Sequence, residues 1–268
     1  MSCRIILFSD IHEEAVFSAG AWKDKRLIGW LNSRVMRGKT FDRSRTDRAV
    51  RFILENKPDI VVFPGDAVST SAPEEFDTAW RRLRPLAESG IPLIFTPGNH
   101  DIYTRDRACL AALEDFYRKM NGGRAYDPEP YLLEVKGVRF AAVHCAKPVP
   151  WVMSSGRMTK STTAFLRRTA EDASSAPLVC VGHFPILIDH PIRESRRRVF
   201  GAGEAAEMIR SGKIALSLCG HMHHGYEKTD ARGYGEVCAG SLTRYGSLVV
   251  ITCREDTGTF ELKREMIV

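Results

Sequence analysis

Short apolar runs alternate with segments of helical spacing along most of the chain. Residues 4–8 (RIILF), 59–63 (DIVVF), 92–96 (PLIFT), 177–182 (PLVCVG) and 214–220 (IALSLCG) are nearly unbroken apolar stretches ended by turn residues. That pattern predicts strands buried on both faces. Between them, 44–57, 74–89, 104–120, 157–173 and 203–211 carry apolar positions at helical spacing. Residues 131–144 read as a hairpin turning at Lys136-Gly137, and EVCAGSL, SLVVITC and TFELKRE near the end read as antiparallel strands. The order predicts an α/β fold, a layered sandwich of two sheets with helices outside. No internal repeat, low-complexity tract or linker breaks the chain, so residues 1–268 are expected to form one domain with a basic amphipathic insert at about 20–46.

Nearly every predicted strand ends in a residue that can carry chemistry. These are FSDIH (Asp10, His12), PGDAV (Asp66), PGNHD (Asn99, His100, Asp101), VGHFP (His183) and GHMHH (His221, His223, His224). In α/β folds the carboxyl ends of strands are where ligands bind, so these side chains are expected to converge. Glycines before Asp66, Asn99, His183 and His221 suit tight turns that aim the next side chain. Oxygen and imidazole donors in this mixture suit manganese, iron or zinc better than magnesium or calcium. Seven such donors are about right for two ions sharing one carboxylate. Two ions roughly 4 Å apart can activate a hydroxide and hold both the attacking and leaving oxygens of a phosphoryl transfer. A lone D-x-H carries little information, whereas G-N-H-D arises by chance in about one chain in a thousand of this size.

Taken together, D-x-H, G-D, G-N-H-D, G-H and G-H-x-H resemble the calcineurin-like metallophosphoesterase superfamily, over almost the whole chain from Asp10 to His223. The resemblance implies a four-layer α/β/β/α sandwich of two mixed sheets flanked by helices, with a dinuclear site. It implies one ion on Asp10, His12 and His223, a second on Asn99, His183 and His221, and Asp66 bridging them. His100 would be the proton donor to the leaving oxygen or a stabiliser of developing negative charge. Asp101 would orient His100. Two divalent ions are therefore the expected cofactors, manganese first, with iron and zinc as alternatives. One departure is visible: many members carry a carboxylate or Asn three residues after the G-D, and Ser69 stands there.

Composition narrows the setting. After Met1 and Ser2 the chain enters a strand-like run too short for a signal segment, and no apolar run reaches the roughly 18 residues that span a bilayer. Seven scattered cysteines without a C-x-x-C pair suit buried reduced thiols. A cytoplasmic protein is expected. Between Trp22 and Arg48 stand nine Lys/Arg and three Asp/Glu, a surplus of six that equals the net charge of +6; the remainder is neutral. Residues 21–40 add Trp22 and Trp30 to Leu27, Ile28, Leu31 and Val35 at helical spacing. A plain packed helix accounts for the spacing, but charge and tryptophan together fit a segment facing an anionic membrane surface or a lipid substrate at the inner face of the membrane. The neutral remainder argues against a nucleic-acid track.

Substrate contacts expected on these grounds are Arg26, Trp30, Arg34, Trp151 and Arg193. The run RESRRR (193–198) is either a solvated helix face or a cationic wall, and Pro-rich 147–157 is a rim or a connector. His144 reads as a strand-end residue, His190 as a loop or substrate-side residue, and His224 as pointing away from the site. KRLIGWLN followed by a basic stretch is similar to a subgroup with a basic insert after the first motif, one that includes UDP-2,3-diacylglucosamine pyrophosphatase. The expected substrate is thus a phosphorylated small molecule or a lipid-linked nucleotide of that kind. A cyclic-nucleotide-type or general phosphodiesterase is the alternative, and an inactive scaffold, which would have lost ligands, is a third.

Overall fold

The computed structural model describes residues 2–14, 40–149, 153–189 and 197–268. Alternation along the first strand, β1 (Ser2–Leu7), sets the layers. Ile5 and Leu7 point into one apolar layer, Ile6 and the following Phe8 into another, and all four are buried. The same two-sided burial holds in β2 (Ile60–Phe63), β7 (Leu178–Val181) and β9 (Leu216–Cys219), as continuous apolar strands require.

Two large sheets result. The first runs β13 (Phe260–Met266), β12 (Ser247–Arg254), β1, β2, β3 (Leu93–Phe95); the second runs β10 (Tyr226–Thr229), β11 (Gly235–Cys238), β9, β7, β5 (Val138–Ala142), β4 (Tyr131–Val135). Both are mixed. In the first, β1, β2 and β3 are parallel while β12 and β13 pair antiparallel. In the second, β5, β7, β9 and β11 are parallel and the outer strands β4 and β10 are antiparallel. The β4–β5 hairpin turns at Lys136-Gly137 as the sequence predicts.

Three apolar layers account for the packing. Outside the first sheet lie α1 (Ser44–Asn56), α2 (Pro73–Ala87) and α3 (Arg107–Met120), whose Val50, Ile53, Leu83, Leu113 and Phe116 meet Ile6, Val61, Phe63 and Phe95. Between the sheets, Ile5, Leu7, Val62 and Ile251 face Phe140, Val179, Leu216 and Val237. Outside the second sheet, α4 (Lys160–Glu171) and α5 (Gly203–Arg210) bring Leu166, Ala205 and Ile209 onto Ala141, Leu178 and Cys180. This is the four-layer α/β/β/α sandwich of two mixed sheets.

One stretch departs from its prediction. EVCAGSL is strand only through Cys238; Gly240, with φ +79°, turns the chain into a one-turn helix, α6 (Leu242–Tyr245), before β12 begins. Ser241 caps that turn by accepting the N–H of Arg244. A short parallel pair, β6 (Gly156–Arg157) with β8 (Val199–Phe200), and the edge strand β10 carry no long apolar run and are not legible as strands.

Candidate metal centre

The carboxyl ends of β1, β2 and β3 in one sheet and of β7 and β9 in the other open onto the same point. Asp10, His12, Asp66 and His223 offer donor atoms within 4.8 Å of one another, and so do Asp66, His183 and His221. Asn99 joins the second group, its Oδ1 3.2 Å from His183 Nε2. All seven donors are buried except His223, which is partly open. Asp66 alone belongs to both groups.

Backbone geometry concentrates here. Of eight non-glycine residues with positive φ among the described residues, five are Asp10 (+55°), His12 (+49°), Asp66 (+54°), His221 (+69°) and His223 (+59°). A left-handed residue costs energy and survives where its surroundings over-determine it. The motifs over-determine each other. Asp10 Oδ2 accepts the His221 N–H at 3.0 Å, and Asp66 Oδ1 accepts the His100 N–H at 2.9 Å. Each carboxylate therefore spends one oxygen on the backbone of a later motif and turns the other to the cluster. Asp10 Oδ1 lies 3.7 Å from His12 Nε2 and 3.6 Å from His223 Nε2. Asp66 Oδ2 lies 3.7 Å from His12 Nε2 and 3.3 Å from His183 Nε2.

Gly98 and Gly220 make this approach possible. A Cβ on Gly98 would sit 2.2 Å from Asp66 Oδ1, and one on Gly220 2.5 Å from Asp10 Oδ2. They serve close contact with a carboxylate, whereas Gly65 before Asp66 has the positive φ (+80°) that a turn requires.

The donor set fits cations. His183 donates Nδ1–H to the Pro64 carbonyl at 2.6 Å, which leaves Nε2 to face Asp66, Asn99 and His221. Asp10 Oδ1 and His221 Nε2 are buried with no hydrogen-bond partner. Such atoms are costly unless something else engages them. Electrostatics agree. Burial alone would raise the Asp66 carboxyl, but His183, His100 and His12 hold it well below the carboxylate range. Burial lowers the His183 imidazole and Asp66 more than reverses it, to about 9, while burial and the His183 charge push His221 down to about 3. Imidazole charge thus gathers beside an ionised Asp66, a balance of the kind that a bound cation would take over.

A family model described as calcineurin-like phosphoesterase matches residues 3–225. The chain belongs to that family. The glycerophosphodiester phosphodiesterase GpdQ of Enterobacter lignolyticus is 28% identical over 183 residues, which are 64% of this chain and 58% of GpdQ. Among solved structures, a dimetal phosphatase from Danio rerio superposes with a TM-score of 0.66 at 13% identity, covering 99% of both chains. Purple acid phosphatase PPD1 from yellow lupin gives 0.64 at 13% identity over 99% of this chain and 52% of its own. These two likenesses bear on the fold. A dinuclear divalent site is what this family leads one to expect, and the clustered donors are consistent with it.

In this calcineurin-like phosphoesterase the expected partnership of Asp101 and His100 takes another form. Asp101 is buried and accepts three backbone N–H groups, from Asp66 and Gly98 at 2.8 Å and from Val68 at 3.1 Å. It fixes the loop that carries Asp66. The His100 ring instead donates Nδ1–H to the Ser69 carbonyl at 2.6 Å and stacks on Tyr103. Ser69 thus holds His100 through its main-chain carbonyl, while its hydroxyl donates to the His12 carbonyl at 3.2 Å. Burial and the nearby Asp66 charge push Asp101 up to about 7.

The pocket over the cluster has a volume of about 250 Å³ and is lined by Asp66, Asn99, His100, Ser154, Arg197, His221, Met222, His223, His224 and Arg244. His224 corrects its sequence reading: it lines this pocket, and its Nε2 is 3.1 Å from the Tyr245 hydroxyl. Arg244, in a short loop helix, gives no sequence signal; Arg197 was visible only as part of RESRRR. His144 is a buried strand-end residue against Tyr117, as expected. Arg26, Trp30, Arg34, Trp151, His190 and Arg193 lie outside the described residues. Among the described residues no helix is long and apolar enough to cross a membrane.

Proposed function

We propose that this protein is a dinuclear-metal phosphodiesterase. The observation that carries the reading is the sharing of Asp66 between two donor groups, with its other oxygen tied to the His100 backbone. Asp10, His12 and His223 would hold one divalent ion, Asn99, His183 and His221 the other, and Asp66 both. Ions bound there supply Lewis acidity toward the phosphoryl oxygens and lower the pKa of water. The chain does the rest. His100, with Nδ1 committed to Ser69, presents Nε2 to the pocket it lines and donates a proton to the leaving oxygen. Asp101 and Ser241 keep the donor loops in place, the latter through its hydroxyl on the Asp10 carbonyl. Manganese is the first metal to test, with iron and zinc beside it, because the donor set mixes imidazole with oxygen.

A diester, or the chemically similar pyrophosphate, is favoured by the likeness to GpdQ, and the polar lining favours a small hydrophilic substrate. Met222 is the single apolar side chain among the described lining residues. A second reading, a lipid-linked nucleotide such as UDP-2,3-diacylglucosamine, rests on the basic, tryptophan-bearing residues 21–40. Manganese-loaded protein should be assayed on bis(p-nitrophenyl) phosphate, glycerophosphoethanolamine, cyclic AMP and UDP-2,3-diacylglucosamine. Turnover of the first two sustains the proposal. Preference for the fourth moves the assignment to the lipid-linked nucleotide, and no turnover of any defeats both.

A further inference from the structure

We propose that Arg197 and Arg244 form a subsite for a second anionic group, so that the preferred diester carries a terminal phosphate on one of its alcohols. The inference rests on the phosphodiesterase reading of the same pocket and extends it to substrate class. Both arginines line the pocket, both are exposed, and among the described residues neither has a carboxylate partner. Other arginines are spent on carboxylates: Arg43, Arg45, Arg48, Arg82, Arg167, Arg232, Arg254 and Arg264 are each paired with Asp or Glu and are not offered to the pocket in this way.

Charge counting assigns them a task. Asp10 and Asp66 offset two of the four charges of two divalent ions. An anionic nucleophile and a diester monoanion take the other two. The reacting phosphate would then be balanced without either arginine, the charge of His100 passing with its proton to the leaving oxygen, and two positive charges would remain at the rim. A phosphomonoester is a dianion near neutral pH, with oxygens that suit the guanidinium fork.

Arg244 is also preorganised. Arg45 donates to the carbonyls of Thr243 (3.1 Å) and Arg244 (2.8 Å), and the Thr243 hydroxyl donates to the Ile11 carbonyl (2.9 Å). The backbone of Arg244 is therefore registered against the Asp10–His12 loop. Its guanidinium lies over the Tyr245 ring, which in turn meets His224 in the pocket wall. A pocket of about 250 Å³ is smaller than a site for a drug-sized ligand, so the occupant is a compact molecule with its charge close to the reacting centre.

The test compares two non-hydrolysable phosphinates, methyl(propyl)phosphinate and methyl(3-phosphonopropyl)phosphinate, which differ only in a terminal phosphonate that makes the second the phosphorylated ligand's analogue. Calorimetric titration into manganese-loaded protein should show the phosphonate-bearing ligand binding at least about tenfold more tightly. Arg197→Met and Arg244→Met should each reduce that ratio at least about threefold, and the double variant should bring it near one. A wild-type ratio near one overturns the subsite. So does a ratio preserved in the double variant, because the terminal phosphonate would then be held by the metals. Because the readout is binding, loss of the phosphodiesterase reading in the turnover assays leaves this result separately decidable.

Discussion

Oδ1 of Asp66 accepts the backbone N–H of His100 at 2.9 Å, and that bond leaves Oδ2 as the oxygen facing His12 and His183. Asp10 repeats the device with His221, its Oδ2 on the backbone N–H and its Oδ1 toward His12 and His223. Motifs far apart in sequence are thereby locked in pairs, one bond binding β2 to the β3 loop within the first sheet and the other bridging the two sheets. The donors are thus oriented by the chain's own backbone hydrogen bonds, the support that a site of fixed geometry needs.

Asp66→Asn separates charge from shape. Asn tolerates the left-handed backbone at this position and retains an oxygen for the His100 N–H, but the shared carboxylate charge is gone. Elemental analysis should show fewer than two ions per chain, and turnover of an aryl phosphodiester should fall by at least about 10³. Two tightly held ions with near-wild-type turnover in this variant would remove Asp66 as the bridge.

His100→Ala should lower kcat by roughly 10²–10⁴, the range for losing a proton donor, with metal content unchanged. The loss should shrink with substrates whose leaving group needs no proton, so p-nitrophenolate esters should suffer less than alkyl esters. Equal losses on both would assign His100 to charge stabilisation, and loss of metal would make it a ligand.

Asp101 gives a stability prediction. Asp101→Leu would orphan the buried N–H groups of Asp66, Val68 and Gly98, and a buried donor left without a partner costs roughly 1–3 kcal/mol. Chemical denaturation should show a loss of about 3–5 kcal/mol, with weaker metal retention. Unchanged stability with lowered kcat alone would return Asp101 to the role of orienting His100.

The difference between that role and the observed one shows what a sequence can and cannot reveal. The strands, the helices and the convergence of Asp10, Asp66, Asn99, His183 and His221 are legible because continuous apolar runs ended by polar residues report burial and strand ends directly. Which partner Asp101 takes is not, since three backbone amides from two different loops leave no residue-type signature. Arg244 reaches the pocket through a turn at Gly240 and a helix of one turn, and His224 from the loop between β9 and β10, places where periodicity has nothing to count. Likewise Glu236, whose carboxylate accepts the N–H groups of Ile186 and Leu187 and the Tyr226 and Ser217 hydroxyls, steadies the loop after His183 from a strand position that reads as ordinary.

Away from the metal cluster, His144 supplies a test of pH-dependent stability. Burial pushes its imidazole down to about 4 from an ordinary 6.5, and the ring meets the Tyr117 hydroxyl at 3.3 Å and the rings of Tyr126 and Tyr131. The folded chain therefore resists a proton that the unfolded chain accepts. The stabilisation is fully present above about pH 6.5, where both states are neutral, and is lost as pH falls through the window down to about 4. A shift from 6.5 to about 4 corresponds to roughly 3 kcal/mol at its limit. Other groups titrate in the same window, so the measurement is a difference. Denaturation free energies of wild type and His144→Gln, taken between pH 4 and pH 8, should converge toward low pH and separate above 6.5 by up to that amount. A constant difference across the range would mean that His144 keeps an ordinary pKa in the folded chain.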